Sequence, residues 1–231
     1  MNIINCQVHS ITSLTTHVYK VLLKPDQAVD FIPGQYLNFV MSDEDKRPFS
    51  IASSPNSEFI ELQIGAFGAD SYPMQVIEKI RSTDTVTIEM PLGNAPLITA
   101  SDRPLLLMAG GTGFSYIKSM FEYLAEQKST RPVLVYWGLR EPSACYELTQ
   151  TAAIVDKLPH GKFIPVVETP DEHWQGRTGL VHQAVMDDIS SLAPYDIYLA
   201  GRFEMISLVR TDFVKHGALL EHMYADAFAF I

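Results

Sequence analysis

The hydrophobic and polar positions of the chain form two different patterns, which meet at the polar segment 99–104. Before this segment, short apolar or alternating stretches are separated by proline, glycine and aspartate, as in strands joined by turns. The predicted strands are residues 18–23, 36–40, 59–64 and 86–90, with one helical stretch at 73–80. Several short strands at this spacing predict a small antiparallel barrel.

After the segment 99–104, strands and helices alternate. An apolar run without alternation, Leu105-Leu106-Leu107-Met108-Ala109, predicts a strand that is buried on both faces. Further strands are predicted at 133–137, 163–167 and 196–200, and helices at 146–158, 180–189 and 204–216, the last ending at Gly217. This order predicts a parallel sheet covered by helices. We therefore predict two domains, residues 1–100 and residues 101–231.

A glycine turn follows the buried strand. It reads Gly110-Gly111-Thr112-Gly113, and the apolar spacing after it predicts an amphipathic helix at 114–127. A strand, a glycine turn and a helix start together form a place where backbone N–H groups hold a phosphate. A tight turn that merely needs glycine explains the same residues, and Tyr116 replaces the third glycine of the dinucleotide fingerprint. The turn indicates a nucleotide without saying which one.

Three of the predicted parallel strands end in glycine, at Gly110, Gly138 and Gly201. Ligands of open parallel sheets bind at the carboxyl ends of the strands. The absence of side chains at these three positions would therefore leave space for a dinucleotide. Arg140 follows Gly138 and is a candidate for the ribose or a 2′-phosphate. Surface pairing of this arginine with Glu141 or Glu147 is an equal alternative.

Charge and composition exclude several classes of function. The chain has 231 residues and a net charge of −10, without a basic run, which argues against nucleic acid. Cys6 and Cys145 are expected to be buried reduced thiols, and the scattered histidines predict no metal site. No signal peptide or apolar stretch of membrane-spanning length is evident, so we expect a cytoplasmic protein.

A second candidate site is Arg47-Pro48-Phe49-Ser50, on a strand that Pro48 stiffens. An arginine and a hydroxyl three residues apart can grip a flat polar heterocycle. The residues alone favour a surface arginine beside an ordinary edge strand.

Four segments nevertheless occur together in one known group of proteins. They are Gly34-Gln35-Tyr36, Arg47-Pro48-Phe49-Ser50-Ile51-Ala52-Ser53, Ala109-Gly110-Gly111-Thr112-Gly113 and Ala200-Gly201-Arg202-Phe203-Glu204-Met205. In this order they resemble the ferredoxin–NADP⁺ reductase superfamily. The ending Asp226-Ala227-Phe228-Ala229-Phe230-Ile231 is similar to that of the stand-alone NAD(P)H:flavin oxidoreductases of enteric and luminous bacteria.

The resemblance implies an N-terminal Greek-key β-barrel that binds flavin and a C-terminal doubly wound α/β domain that binds NADH or NADPH. It implies hydride transfer from nicotinamide C4 to flavin N5, with Ser50 as the catalytic residue that hydrogen-bonds N5. A hydroxyl suits this role because it both donates and accepts. Riboflavin, FMN or FAD would be an exchangeable substrate, and a flavin-dependent monooxygenase or luciferase a possible recipient of the reduced flavin.

The expected contacts form two sets. Flavin-binding residues are Tyr36, Arg47, Pro48, Phe49, Ser50, Tyr72, Tyr116, Phe228 and Phe230. Nucleotide-binding residues are Gly110, Gly111, Thr112, Gly113, Phe114, Ser115, Gly138, Arg140, Gly201, Arg202 and Phe203. Many relatives have Cys-Gly-x-Pro where this chain has Ala200-Gly201-Arg202-Phe203, so any role of that cysteine is absent.

The segment Gly68-Ala69-Asp70-Ser71-Tyr72-Pro73 decides how tightly flavin is held. Its Gly-x-x-Ser spacing is that of pyrophosphate binding in relatives with permanent FAD, but Asp70 would repel the pyrophosphate. We favour a helix N-cap at Asp70 or Ser71, with Pro73 in the first turn. Two alternatives stay open: an FAD-containing reductase that passes electrons to an iron–sulfur partner, and a flavin carrier without activity.

Overall fold

The computed structural model describes residues 2–231 and contains two sheets, of which the first lies in the N-terminal half. Its six strands are β1 (Asn2–Ser13), β2 (Val18–Pro25), β3 (Tyr36–Val40), β4 (Lys46–Ser50), β5 (Ile60–Gly65) and β6 (Thr85–Leu92). They pair antiparallel in the order β4-β3-β6-β1-β2-β5. Helix α1 (Tyr72–Ser82) connects β5 and β6.

The first sheet curls so that its two outer strands meet. Ala52, just beyond β4, donates its N–H to the carbonyl of Glu61 in β5 at 2.8 Å. The enclosed core is apolar, with Leu37, Leu62 and Ile88 fully buried. The predicted antiparallel, barrel-like first half is confirmed.

The second sheet contains β7 (Leu105–Gly110), β8 (Val133–Leu139), β9 (Lys162–Val167), β10 (Arg177–Thr178), β11 (Asp196–Ala200) and β12 (Met223–Tyr224). The helices are α2 (Phe114–Glu126), α3 (Leu148–Val155), α4 (Val181–Asp188) and α5 (Phe203–Lys215). All strand pairs are parallel, in the order β10-β9-β8-β7-β11-β12. The strand order reverses between β7 and β11, where ligands bind in such sheets.

Helices cover both faces of this sheet. Leu105 and Leu107 of β7 pack in the core that contains α2, whereas Leu106 and Met108 pack against α4 and α5. This alternation explains why the β7 sequence is apolar at every position. The prediction of a doubly wound α/β second half is confirmed.

Two helix ends match their predicted signals. The Ser71 hydroxyl accepts a hydrogen bond from the N–H of Met74 at 3.3 Å and caps α1, with Pro73 in the first turn. Gly217 follows α5 with φ of 90°, the left-handed conformation that glycine adopts without strain. The N-cap interpretation of residues 68–73 is thus confirmed at Ser71.

The predicted division at residue 100 falls in the connection between β6 and β7 and stays a prediction. Within residues 2–231, no helix has the length and apolarity to cross a membrane. Cys6 is buried and Cys145 half-buried, and both are free thiols.

Candidate functional site

The glycine turn lies directly across the end of β11. Residues Gly111–Gly113 form a single 3₁₀ turn, and the indole N–H of Trp137 donates to the carbonyl of Gly111 at 2.9 Å. A Cβ on Gly113 would stand 2.7 Å from the carbonyl carbon of Ala200, so only glycine permits this approach. Gly111 has φ of 54°, which also favours glycine. The turn is therefore fixed at the point where the strand order reverses.

The two residues after the turn have different surroundings. The Ser115 hydroxyl is buried at the start of α2 and has no hydrogen-bond partner among residues 2–231. Such an orphaned donor beside a helix start fits a phosphate or ribose oxygen. Phe114, in contrast, is fully buried and stacks on Trp137 with ring centroids 4.1 Å apart. The side chain of Phe114 thus belongs to the core, which its neighbourhood in the sequence did not reveal.

The strand-end glycines have a packing reason that the sequence did not show. A Cβ on Gly110 would stand 2.6 Å from the sulfur of Met205 in α5, and a Cβ on Gly138 would stand 2.6 Å from Val181 of α4. A Cβ on Gly201 would also meet Met205, at 3.0 Å. The missing side chains let the following helices pack against the strand ends, and nucleotide binding by these three glycines stays a prediction.

The charged and aromatic candidates at this edge are accessible. Arg140, Arg202 and Phe203 are exposed, and Arg140 makes no ion pair with any residue between 2 and 231. The alternative pairing with Glu147 is wrong, because that carboxylate accepts from the ammonium of Lys20 at 2.7 Å. Arg140 thus keeps its guanidinium available for an anionic group.

The second candidate site lies at the end of β4. Ser50 is directly opposite Tyr36 of β3, and both are half-buried. The Ser50 hydroxyl makes no hydrogen bond within the described part of the chain, residues 2–231. A free hydroxyl beside an aromatic ring suits a flat heterocycle with a polar edge.

The other three residues of the Arg47–Ser50 motif, unlike Ser50, contact other parts of the chain or solvent. The Arg47 guanidinium donates two hydrogen bonds, of 2.9 and 2.6 Å, to the Asp45 carboxylate. It also donates to the carbonyl of Tyr72 at 2.6 Å and lies 4.0 Å from the Tyr72 ring centre. The hydrogen bonds from Arg47 lower the pKa of Asp45. Pro48 is exposed and Phe49 packs against the first core.

The C-terminal segment reaches across to the first half of the chain. The Asp226 carboxylate accepts from the N–H of Asn94 at 3.0 Å, and burial raises the pKa of this carboxyl. Gly93 lies between Asp226 and Tyr36. A Cβ on Gly93 would stand 3.2 Å from the Asp226 carboxylate and 3.1 Å from the Tyr36 ring. The sequence did not reveal this contact of Asp226, although the residue lies in the C-terminal motif.

The remaining predicted aromatic residues differ in exposure. Phe230 is 76% exposed and meets Phe203 edge-on, with ring centroids 5.7 Å apart. Phe228 is half-buried beneath Arg210. Tyr116 is buried, and its hydroxyl donates to the carbonyl of Ala95 at 2.6 Å. A flavin contact from Tyr116 therefore needs a rearrangement of this side chain, whereas Phe230 is already accessible.

The two candidate sites belong to one region. A Cβ on Gly65, the last residue of β5, would stand 3.0 Å from the Thr112 side chain in the glycine turn. The turn that suits a nucleotide thus packs directly on the first sheet, which carries Ser50.

Comparison with known proteins agrees with this arrangement. Residues 107–211 match the model of the oxidoreductase NAD-binding domain. The chain is 45% identical to an NAD(P)H-flavin reductase of Vibrio harveyi and 44% identical to one of Aliivibrio fischeri, with 99% of each chain covered in both cases. The ferredoxin reductase of carbazole 1,9a-dioxygenase has the same fold, with a TM-score of 0.87 at 24% identity over 98% of this chain and 69% of that one.

Proposed function

This chain belongs to the NAD(P)H-flavin reductase family of the ferredoxin–NADP⁺ reductase superfamily, and we propose that it reduces free flavins with NADH or NADPH. The observation that carries the proposal is the packing of the glycine turn on the end of β5. The turn thus packs on β5, and β5 in turn is hydrogen-bonded through Glu61 to Ala52, two residues beyond Ser50. A two-substrate reaction needs both ligands held at such a junction.

The proposed step is hydride transfer from nicotinamide C4 to flavin N5, and the two ligands supply this chemistry. The chain contributes position and hydrogen bonds. Ser50 would bond N5, and its free hydroxyl, which can donate or accept, supports this role. The turn residues 110–113 and the orphaned Ser115 hydroxyl would hold the nucleotide, with Arg140 and Arg202 at the exposed edge.

We propose that the flavin exchanges freely with solvent. The Ser71 hydroxyl is used as the cap of α1, and exposed Asp70 beside it disfavours a pyrophosphate. The Arg47 guanidinium is engaged by Asp45, Gln75 and the Tyr72 carbonyl. This guanidinium is thus occupied within the chain, which disfavours tight binding of the FAD diphosphate, and riboflavin, FMN and FAD all qualify as substrates.

The decisive assay mixes the purified protein with riboflavin and either NADH or NADPH and follows the nicotinamide absorbance. We expect a nearly colourless protein that catalyses many turnovers. A yellow protein that reduces added flavin poorly would support the FAD-containing reductase. Flavin binding without nicotinamide oxidation would support a carrier and contradict the proposal.

The reduced flavin leaves the protein, and we propose a flavin-dependent monooxygenase or luciferase as its recipient, because free reduced flavin reacts with oxygen. We also propose a cytoplasmic location, since the two free thiols are typical of a reducing compartment. Adding such a monooxygenase should couple nicotinamide oxidation to its product.

A further inference from the structure

One face of α2 is bonded to the first half of the chain by a row of polar side chains. The row, which we call the α2 interface cluster, consists of Lys118, Ser119, Glu122 and Glu126. The Ser119 hydroxyl donates to the carbonyl of Ser53 at 2.7 Å. Glu122 accepts from the N–H of Ser54 at 3.2 Å, and Glu126 accepts from the Ser54 hydroxyl. The helix is therefore fixed to residues 53 and 54 along about two of its turns.

Lys118 is the buried centre of this cluster. It is only 5% exposed, and its ammonium lies 3.2 Å from the Glu61 carboxylate in β5 and 2.6 Å from Glu122. Burial alone would lower the pKa of Lys118, but the carboxylates of Glu61 and Glu122 outweigh it and raise the pKa. The ammonium thus stays charged between the two halves of the chain.

A buried charge of this kind is better suited to fixing a geometry than to adding stability. Apolar side chains of similar volume often stabilise a protein as well as a buried ion pair does. Apolar surfaces, however, can slide past each other, whereas Lys118 meets Glu61 of β5 only when α2 lies close to its observed position. The α2 interface cluster therefore specifies where α2 lies along the first sheet.

This position determines where the two reactants meet. Ser53 is three residues beyond Ser50, and Ile51 and Ala52 between them are fully buried. Lys118 is five residues beyond Gly113, which is about 7 Å along a helix. Short, packed segments thus connect the cluster to the Ser50 hydroxyl on one side and to the glycine turn on the other.

We propose that Lys118, together with Ser119, is a positioning residue for hydride transfer, because it fixes α2 and the glycine turn relative to Ser50. The inference rests on the proposed function. A displacement of reacting groups by about 1 Å costs about 100-fold in rate. Loss of the cluster should therefore lower the rate of hydride transfer while both ligands still bind.

The test uses Lys118→Met, Lys118→Arg and Ser119→Ala in the full chain. Val209→Ala is the control for stability, since Val209 is fully buried in α5, in the core on the face of the second sheet opposite α2. Stopped-flow single turnovers at saturating NADH and riboflavin give the hydride-transfer rate constant. Titrations give the two dissociation constants, and the long-wavelength charge-transfer absorbance of the mixed complex reports ring stacking.

We expect Lys118→Met to lower the rate constant about 10–100-fold and to weaken the charge-transfer absorbance, with both dissociation constants unchanged. Lys118→Arg should restore much of the rate. Ser119→Ala, which leaves no unpaired charge, should show a smaller loss and decides the question if Lys118→Met does not fold.

Rate losses no larger than those of an equally destabilised Val209→Ala would overturn the positioning role. So would weaker ligand binding at an unaltered saturating rate. A wild-type protein without any flavin reduction would instead contradict the proposed function, so the two failures are distinguishable.

Discussion

At the scale of single residues, the free hydroxyl of Ser50 carries the proposed chemistry. It stands at the end of β4 opposite Tyr36 and has no partner among residues 2–231. Ser50→Ala would remove the proposed hydrogen bond to N5, so we expect hydride transfer to slow by about 10–100-fold, the rate equivalent of about 1.4–2.7 kcal/mol. Single-turnover kinetics measure this change.

The matched control is Ser82→Ala, because the Ser82 hydroxyl bonds only the Lys79 carbonyl within its own helix. It should keep the wild-type rate. An unchanged rate in Ser50→Ala as well would remove Ser50 from the mechanism.

We predict that His182 in α4 makes stability depend on pH. Its side chain is 6% exposed, and burial lowers its pKa below the usual 6.5, although Asp212 at 3.7 Å opposes the shift. The unfolded chain therefore binds a proton at a higher pH than the folded chain does. The stability that the neutral His182 imidazole contributes is fully present above the pKa that His182 has in the unfolded chain. It is lost as the pH falls from that pKa to the lower pKa of His182 in the folded chain.

His182→Gln should flatten this decline, because glutamine does not titrate. Urea unfolding at about pH 7.5 and about pH 5.5 brackets the unfolded pKa of histidine. A decline in the variant as steep as in the wild type would assign it to other groups.

At the scale of elements, periodicity predicted all five α-helices and most strands, including Tyr36–Val40 and Asp196–Ala200 at their observed bounds. It missed the long first strand β1 and the two-residue strands β10 and β12. It also predicted the apolar stripe of α2. It could not show that Lys118 and Ser119 of the same helix are buried too, since their partners, Glu61 and Ser53, are more than fifty residues away. Long-range polar partners leave no local pattern, and for the same reason the bond between Asp226 and Asn94 was not predicted.

The end of α2 offers a prediction at this scale. Lys128 follows α2 with φ of 51°, and Ser129 donates to the carbonyl of Leu124. Gly217 after α5 makes the same pattern, with Ala218 donating to Phe213. Lys128→Gly should relieve the left-handed strain and stabilise the protein by about 1 kcal/mol. Urea unfolding measures the change. A loss of stability in Lys128→Gly would contradict the prediction, because the Lys128 side chain would then stabilise the fold by more than its backbone strain costs.

At the scale of the whole molecule, the sequence predicted both fold classes but not how the two halves sit together. Their junction is a charged network in which Lys20 of β2 bonds Glu147 at 2.7 Å and Gln63 of β5 donates to the same carboxylate at 2.9 Å. Glu147 belongs to the second half and precedes α3. The network makes the two sheets one structural unit, although each has its own apolar core.

Glu147 has the same backbone angle as Lys128, with φ of 51°, yet we predict the opposite effect of glycine. Glu147→Gly also relieves strain of about 1 kcal/mol, but it removes two hydrogen bonds to a charged group, each contributing about 1.5–3 kcal/mol. The carboxylate is 10% exposed, so water replaces these bonds poorly. Urea unfolding should therefore show a net loss of about 2–5 kcal/mol. If Glu147→Gly instead stabilised the protein as Lys128→Gly does, the bonds across the junction would contribute nothing, and the left-handed conformation of Glu147 would have to be maintained by the packing around α3 alone.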